Sequence, residues 1–305
     1  MAFDILNLIK FMRGVNTLAL YDNVVICFGD SITEGMGMKR PDAYPGVLGK
    51  YLEGQFTVLN AGVGGENSYT ICSRANALPF TVTNEVVFEK GEYEYTSDYK
   101  IFSGINGEKI CYRYACMGRE LPISSLIIGG KKYSLRCDRV GKEEYDKYVL
   151  KRENADEREI IPVGTLIEYD YSEIYNYCYC SILLQGANDG DMPIDIIIDR
   201  YKKIEALNDR FIALIPHYRD DETAELFNES FPNKCVDLRE YCKEQFWIDY
   251  NIQKNQADIY CINEGILSRR FTYKNNYRDC HLNELGYKIL ADLIYKKGIE
   301  LGYWK

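Results

Sequence analysis

Val24-Val25-Ile26-Cys27-Phe28-Gly29-Asp30-Ser31 is the stretch whose reading decides the fold. Five successive apolar residues without alternation suit a strand covered on both faces, the habit of a parallel sheet, and Gly-Asp-Ser ends that strand in a polar turn. Downstream, a loop with Gly35, Gly37 and Pro41 leads to a helical stretch over 44–52. A second apolar strand is expected at 56–59, ended by Asn60-Ala61-Gly62. Strand, helix, strand is the repeating unit of an α/β fold.

After Gly65 a helix is expected over 66–78, and another strand should follow within a few residues. Instead the composition changes. Almost half of the chain's 27 tyrosines fall between 80 and 179, among β-branched residues and the hairpin-type pairs Asn106-Gly107 and Gly129-Gly130. The parallel pattern resumes with a strand over 181–185, a helix over 194–207, strands over 211–215 and 235–238, and a closing helix over 282–299. Residues 1–79 and 180–305 therefore read as one discontinuous α/β domain, and 80–179 as an inserted, mostly antiparallel, Tyr-rich β domain. Five strands with helices between them imply an open five-stranded parallel sheet with helices on both faces. The inserted tyrosines fit either packing within a small β domain, which the residue pattern favours, or a stacking platform for a sugar ring.

Composition narrows the function. Hydrophobic residues at 46% and charged residues at 27% suit a globular chain. A formal net charge of -9 speaks against nucleic acid and anionic membrane, both of which are held through clustered Lys and Arg. No run of about 18 apolar residues occurs, and residues 1–20 lack the layout of a secretory signal, so a soluble cytoplasmic protein is expected. The 11 cysteines form no Cys-x-x-Cys pair and read as free thiols. Cys178 and Cys180, if on one strand, would share a face. Only two histidines are present, His217 and His281, which excludes a His-rich metal site and leaves little choice of neutral-pH base.

In doubly wound sheets ligands gather beyond the carboxyl ends of the strands. Four blocks stand at such places: Gly29-Asp30-Ser31-Ile32, Asn60-Ala61-Gly62-Val63-Gly64-Gly65, Gly186-Ala187-Asn188-Asp189, and Asp279-Cys280-His281-Leu282-Asn283 before the last helix. Ester hydrolysis needs a nucleophile, a base for its proton, and donors aimed at the oxyanion. Ser31 can supply the first and His281 the second, with Asp279 as the acid that orients the imidazole. The backbone N–H groups of Ser31 and Gly65 and the side-chain amide of Asn188 can supply the donors. Glycine at 65 lets the backbone approach a substrate without a Cβ, and the Asn188 amide donates without bringing charge. Asp30 adjoins Ser31, and neighbouring side chains leaving a strand diverge, so a supporting role is expected of it. Asn60 and Asp189 are expected to tie down their loops. His217 follows a strand end and is the one competing base; a structural or peripheral role is expected of it.

These four blocks, in this order, resemble the SGNH or GDSL hydrolases, named for the Ser, Gly, Asn and His that they carry. The resemblance covers about 22–79 and 180–300 and leaves out the inserted segment. It implies a three-layer flavodoxin-like fold, with Ser31 as nucleophile, Gly65 and Asn188 in the oxyanion hole, and His281 as base. In that family the acid stands three residues before the histidine, where this chain has Arg278; Asp279 is two before. Either Asp279 reaches the imidazole by another path, or a backbone carbonyl orients it. The implied substrate is a small acyl ester, such as a carbohydrate acetyl ester, with no metal or organic cofactor. A lysophospholipase or thioesterase is one alternative, and a non-catalytic carbohydrate-binding protein on the same scaffold is another.

Overall fold

Val24–Gly29 forms strand β1 with all six residues buried. In the computed structural model, which describes residues 23–97, 101–108, 125–138, 147–169, 178–276 and 279–305, β1 lies inside a parallel sheet of five strands. The chain passes from β1 through a one-turn helix α1 (Ser31–Glu34) and helix α2 (Tyr44–Tyr51) to β2 (Thr57–Gly62). The second strand outlasts the expected 56–59 because Asn60, Ala61 and Gly62 continue the pairing, opposite Cys27, Phe28 and Gly29. Helix α3 (Ser68–Arg74) is shorter than the expected 66–78. The side chain of Asn67 caps its start by accepting from the Thr70 N–H, and Asn76, at φ 56°, turns the chain away after it.

Between α3 and the next parallel strand the chain builds β3 (Phe80–Val82), β4 (Val86–Phe88), β5 (Glu94–Ser97), β6 (Phe102–Gly104), β7 (Ser125–Ile128), β8 (Lys131–Asp138), β9 (Lys147–Arg152), β10 (Glu159–Ile161) and β11 (Leu166–Tyr169). Seven of these make one antiparallel sheet in the order β5-β9-β8-β7-β11-β3-β6, and β10 pairs with β4. Gly129 and Gly130 join β7 to β8 with φ of 57° and 79°, the double left-handed conformation a two-residue hairpin turn requires. The described tyrosines here mostly pack inward. Tyr133, Tyr148 and Tyr169 are buried, Tyr95 packs against the same cluster, and only Tyr93 is largely open to solvent. The other tyrosines between 80 and 177 lie outside the described residues, and Gly107 of the Asn106-Gly107 pair holds φ 83°.

The parallel sheet resumes with β12 (Cys180–Leu184), helix α4 (Ile194–Glu205), β13 (Phe211–Leu214), helix α5 (Asp221–Ser230) and β14 (Cys235–Val236). The last strand stops early because Asp237 accepts from the Glu240 N–H and starts helix α6 (Leu238–Lys243). Helices α7 (Gln245–Asp249) and α8 (Gln256–Asn263), which the sequence reading did not anticipate, precede the closing helix α9 (Glu284–Glu300). Strand order is β14-β13-β12-β1-β2, the flavodoxin-like arrangement. From β1 the chain moves outward to β2, then returns to place β12 on the other side of β1, so the topological switch lies between β1 and β12.

Alternation along β1 sorts the core. Val24, Ile26 and Phe28 join a cluster with α3, α4, α5 and the antiparallel sheet, while Val25 and Cys27 join one with α2 and α9. Three layers result. Cys178 belongs to the first cluster and Cys180 to the second, which corrects the expectation of a shared face: Cys178 precedes the strand instead of lying on it. Among the described residues no helix is long and apolar enough to cross a membrane.

Candidate active site

Ser31 is the first residue of α1, directly beyond the carboxyl end of β1. The turn is tight because Gly29 has no side chain: a Cβ there would lie 2.0 Å from Thr33 Oγ1 and 2.4 Å from the Leu184 carbonyl oxygen. Asp30 caps the helix, its Oδ1 accepting from the Ile32 N–H at 3.0 Å. Its Oδ2 is buried without a hydrogen-bond partner among the described residues. Burial pushes the Asp30 carboxyl up to about 7, against the opposing pull of the Ile32 and Ala187 N–H groups.

At the other end of the chain, Asn283 caps α9 through the Gly286 N–H, and its amide donates to the Arg270 carbonyl at 2.8 Å. The Tyr273 N–H donates to the His281 carbonyl at 2.8 Å, and Thr272 bridges Leu282. These contacts fix the loop that carries His281 over the end of the sheet. The Ser31 hydroxyl donates to His281 Nε2 at 2.8 Å across 250 residues of chain. On the far side of the ring, Nδ1 lies 2.5 Å from Asp279 Oδ1, which also accepts from the His281 backbone N–H at 3.0 Å. Of the two partners left open for the imidazole, the carboxylate is the one in contact.

His217 lies beneath this loop, 3% exposed, with Nε2 2.8 Å from the Cys280 carbonyl oxygen. A carbonyl only accepts, so that nitrogen carries the proton. Burial drives His217 down to about 4, and the ring stays neutral as a prop for the His281 loop.

The loops after β2 and β12 bring the other expected residues to the same edge. Gly65 holds φ 80°, a left-handed conformation that disfavours any Cβ, which adds a reason for glycine beyond close approach. The adjacent Gly64 N–H donates to Glu34 Oε2 at 2.8 Å. Asn60 donates to the Glu34 carbonyl at 3.3 Å and accepts from the Gly62 N–H at 2.9 Å. Asn188 donates one amide hydrogen to the Glu66 carbonyl at 2.9 Å and has a second to offer. Asp189 accepts from the Ser68 N–H at 2.9 Å, from Ser68 Oγ at 2.6 Å and from Arg200 at 3.0 Å.

Sequence reading passed over Glu34, Glu66, Ser68, Arg74 and Arg200. Glu66 and Arg74 are 2% and 1% exposed at the side chain and pair at 2.8 Å. Burial pushes the Glu66 carboxyl up, and Arg74 beside it pulls it back down. The available signal was an arginine within an otherwise uncharged stretch, eight residues after a glutamate.

Asp279, Cys280 and His281 are the one grouping of metal-ligand types among the described residues, with donor atoms within 4.8 Å of one another. They make a poor metal site. Both ring nitrogens of His281 are engaged, and burial pushes the Cys280 thiol up to about 12, away from the thiolate a metal requires. A hydroxyl, an imidazole and a carboxylate in series can pass a proton away from the hydroxyl as it attacks a carbonyl carbon.

No family model matches the chain, and no curated protein matches it. Among solved structures it is similar to a lipolytic protein of the G-D-S-L family from Desulfitobacterium hafniense DCB-2, at 13% identity and TM-score 0.42, covering 90% of this chain and 99% of that one. It is also similar to the psychrotrophic esterase EstA from Pseudoalteromonas sp., at 11% identity and TM-score 0.41, covering 92% and 98%. A carbohydrate acetylesterase family member from Sinorhizobium meliloti overlaps at 10% identity and TM-score 0.36, covering 92% and 99%. Likenesses at this level describe a partly shared course of the chain and nothing finer.

Proposed function

We propose that the chain is a serine ester hydrolase that works through an acyl-enzyme. The observation that carries this reading is the unbroken series from Ser31 Oγ to His281 Nε2 at 2.8 Å and from His281 Nδ1 to Asp279 at 2.5 Å, at the switch point of a doubly wound sheet. Ser31 attacks the ester carbonyl carbon while its proton passes to His281. The Ser31 and Gly65 N–H groups and the free hydrogen of the Asn188 amide receive the oxyanion. His281 then gives its proton to the leaving alcohol oxygen, and water, deprotonated by the same ring, releases the acid. Asp279 holds the ring tautomer and offsets the charge that His281 gains.

The substrate assigned is a small acyl ester, a carbohydrate acetyl ester first and a lysophospholipid or acyl thioester second; the family resemblance of the four blocks supports that order. Residues 1–79 with 180–305 form the catalytic domain in this reading, and 80–179 the insertion. A cytoplasmic location goes with it, in keeping with eight cysteines whose described side chains are free thiols. The non-catalytic alternative drew on the spacing of Asp279, and an Asp279 in contact with His281 leaves it without that support.

The test is labelling with a fluorophosphonate probe together with hydrolysis of short aryl esters, acetylated sugars and acyl thioesters. Wild-type protein should label at Ser31 and turn over at least one ester class, and Ser31→Ala should lose both while remaining folded. A folded wild type that neither labels nor hydrolyses refutes the proposal.

A further inference from the structure

We infer that the buried Arg74–Glu66 ion pair is the positioning device of the oxyanion hole, holding the loops of Ser31, Gly65 and Asn188 in mutual register. The inference rests on the proposed ester hydrolysis for its catalytic meaning, though its geometric part stands by itself. Arg74 Nε and Nη2 approach Glu66 Oε2 at 2.9 and 2.8 Å, and Nη2 also donates to the Gly29 carbonyl at 3.4 Å. Gly29 is the last residue of β1, two before Ser31. Glu66 directly follows Gly65, and its own backbone carbonyl receives the Asn188 amide at 2.9 Å. One guanidinium thus touches the first loop and the second, and the residue it holds binds the third.

Stability alone is a weak reason for such a pair. Taking two charges out of water costs about what their attraction returns, and uncharged replacements for a buried pair are often neutral. What uncharged residues cannot reproduce is the arginine's fixed fork, which bonds a carboxylate and a carbonyl on different loops at once. A second buried pair, Arg200 with Asp189, grips the residue after Asn188 and uses Ser68, only two residues beyond Glu66, as the shared contact. The Asn188 loop is therefore held against the start of α3 at two successive residues. The bonds of the two pairs run between their own partners, to the Gly29 carbonyl and to Ser68, on the loops that carry the donors, so their part is to place those donors.

Removing one partner would strand a charge in the core, so the variant to make is the double Glu66→Gln/Arg74→Gln, with Arg74→Lys as a milder companion. Kinetically, kcat of the double variant should fall about 10²-fold, the usual cost of a donor displaced by about an ångström, with KM nearly unchanged. The loss should be smaller on a thionoester, whose sulfur draws less from hydrogen-bond donors than a carbonyl oxygen does. Arg74→Lys, which keeps the charge but not the fork, should fall between. Independently of turnover, NMR of the Asn188 side-chain amide should show faster hydrogen exchange in the double variant. A folded double variant with unchanged kcat, or with unchanged Asn188 exchange, overturns the inference. The exchange result does so even if wild-type protein hydrolyses no ester, whereas failure of wild-type labelling bears on the proposed function alone.

Discussion

Asp279 Oδ1 accepts from both nitrogens that His281 turns toward it, the backbone N–H at 3.0 Å and ring Nδ1 at 2.5 Å. A carboxylate two residues before a histidine can bend back on the backbone N–H as an Asx turn, and here that turn delivers the same oxygen to the ring. The shorter spacing therefore serves the same end as a longer one. Asp279→Asn should lower kcat on a chromogenic ester by about 10⁴-fold, because an amide can present its N–H to Nδ1 and select the wrong tautomer. Full activity in a folded Asp279→Asn protein would remove the acid from the mechanism.

Asn188→Ala should cost about 10²–10³-fold in kcat with little change in KM, the scale of losing one oxyanion donor. It also deprives the Glu66 carbonyl of its partner. Steady-state kinetics on one ester are sufficient, and a change confined to KM would place Asn188 in substrate binding instead.

Two buried groups should oppose each other in the pH dependence of stability. Folded His217 titrates at about 4 instead of 6.5, so between those values the unfolded chain binds the extra proton and stability falls as pH drops. Asp30 is raised from 3.8 to about 7, so the folded chain binds the extra proton and stability falls as pH rises through that interval. Each shift corresponds to about 3–4 kcal/mol, and the slopes largely cancel. Urea midpoints of the wild type should change little from these two groups between pH 4 and 7. His217→Gln should gain stability toward acid and Asp30→Asn should lose it. Variant profiles parallel to the wild type would contradict this assignment.

Phe80→Ala should destabilise the protein by about 3–5 kcal/mol, since the side chain is fully buried against Phe102 and Tyr169 of the neighbouring strands of the antiparallel sheet. Denaturation should remain a single transition when followed by Trp247 and Trp304 fluorescence and by far-ultraviolet circular dichroism. Two separate transitions would show that the antiparallel sheet melts by itself.

What could be read beforehand follows from what each residue type reveals. A strand buried on both faces must be apolar at every position, so Val24 to Phe28 announced itself, and with it the sheet edge where Ser31, Gly65, Asn188 and His281 stand. Asn60 and Gly62 look like loop residues, yet they continue β2, because pairing with β1 is a tertiary matter that propensity does not see. Glu66, Arg74 and Arg200 resemble surface charges until their partners are known. The helices between 238 and 263 went unread because they are short, and their apolar residues serve contacts with α9 and the Phe271 segment rather than one regular stripe. Cys178 and Cys180 were assigned a shared face on strand alternation, which fails where the strand has not yet begun.

Every residue of α3 is buried. It is packed against β1, α4 and β11, so it has no wet side along which to slide. This seven-residue rod thus joins the antiparallel sheet, through β11, to the rim where Gly65 and Asn188 are held, with little free space around it. If the chain is the proposed hydrolase, substitutions in the part of the insertion that packs on α3 should therefore change turnover as well as stability.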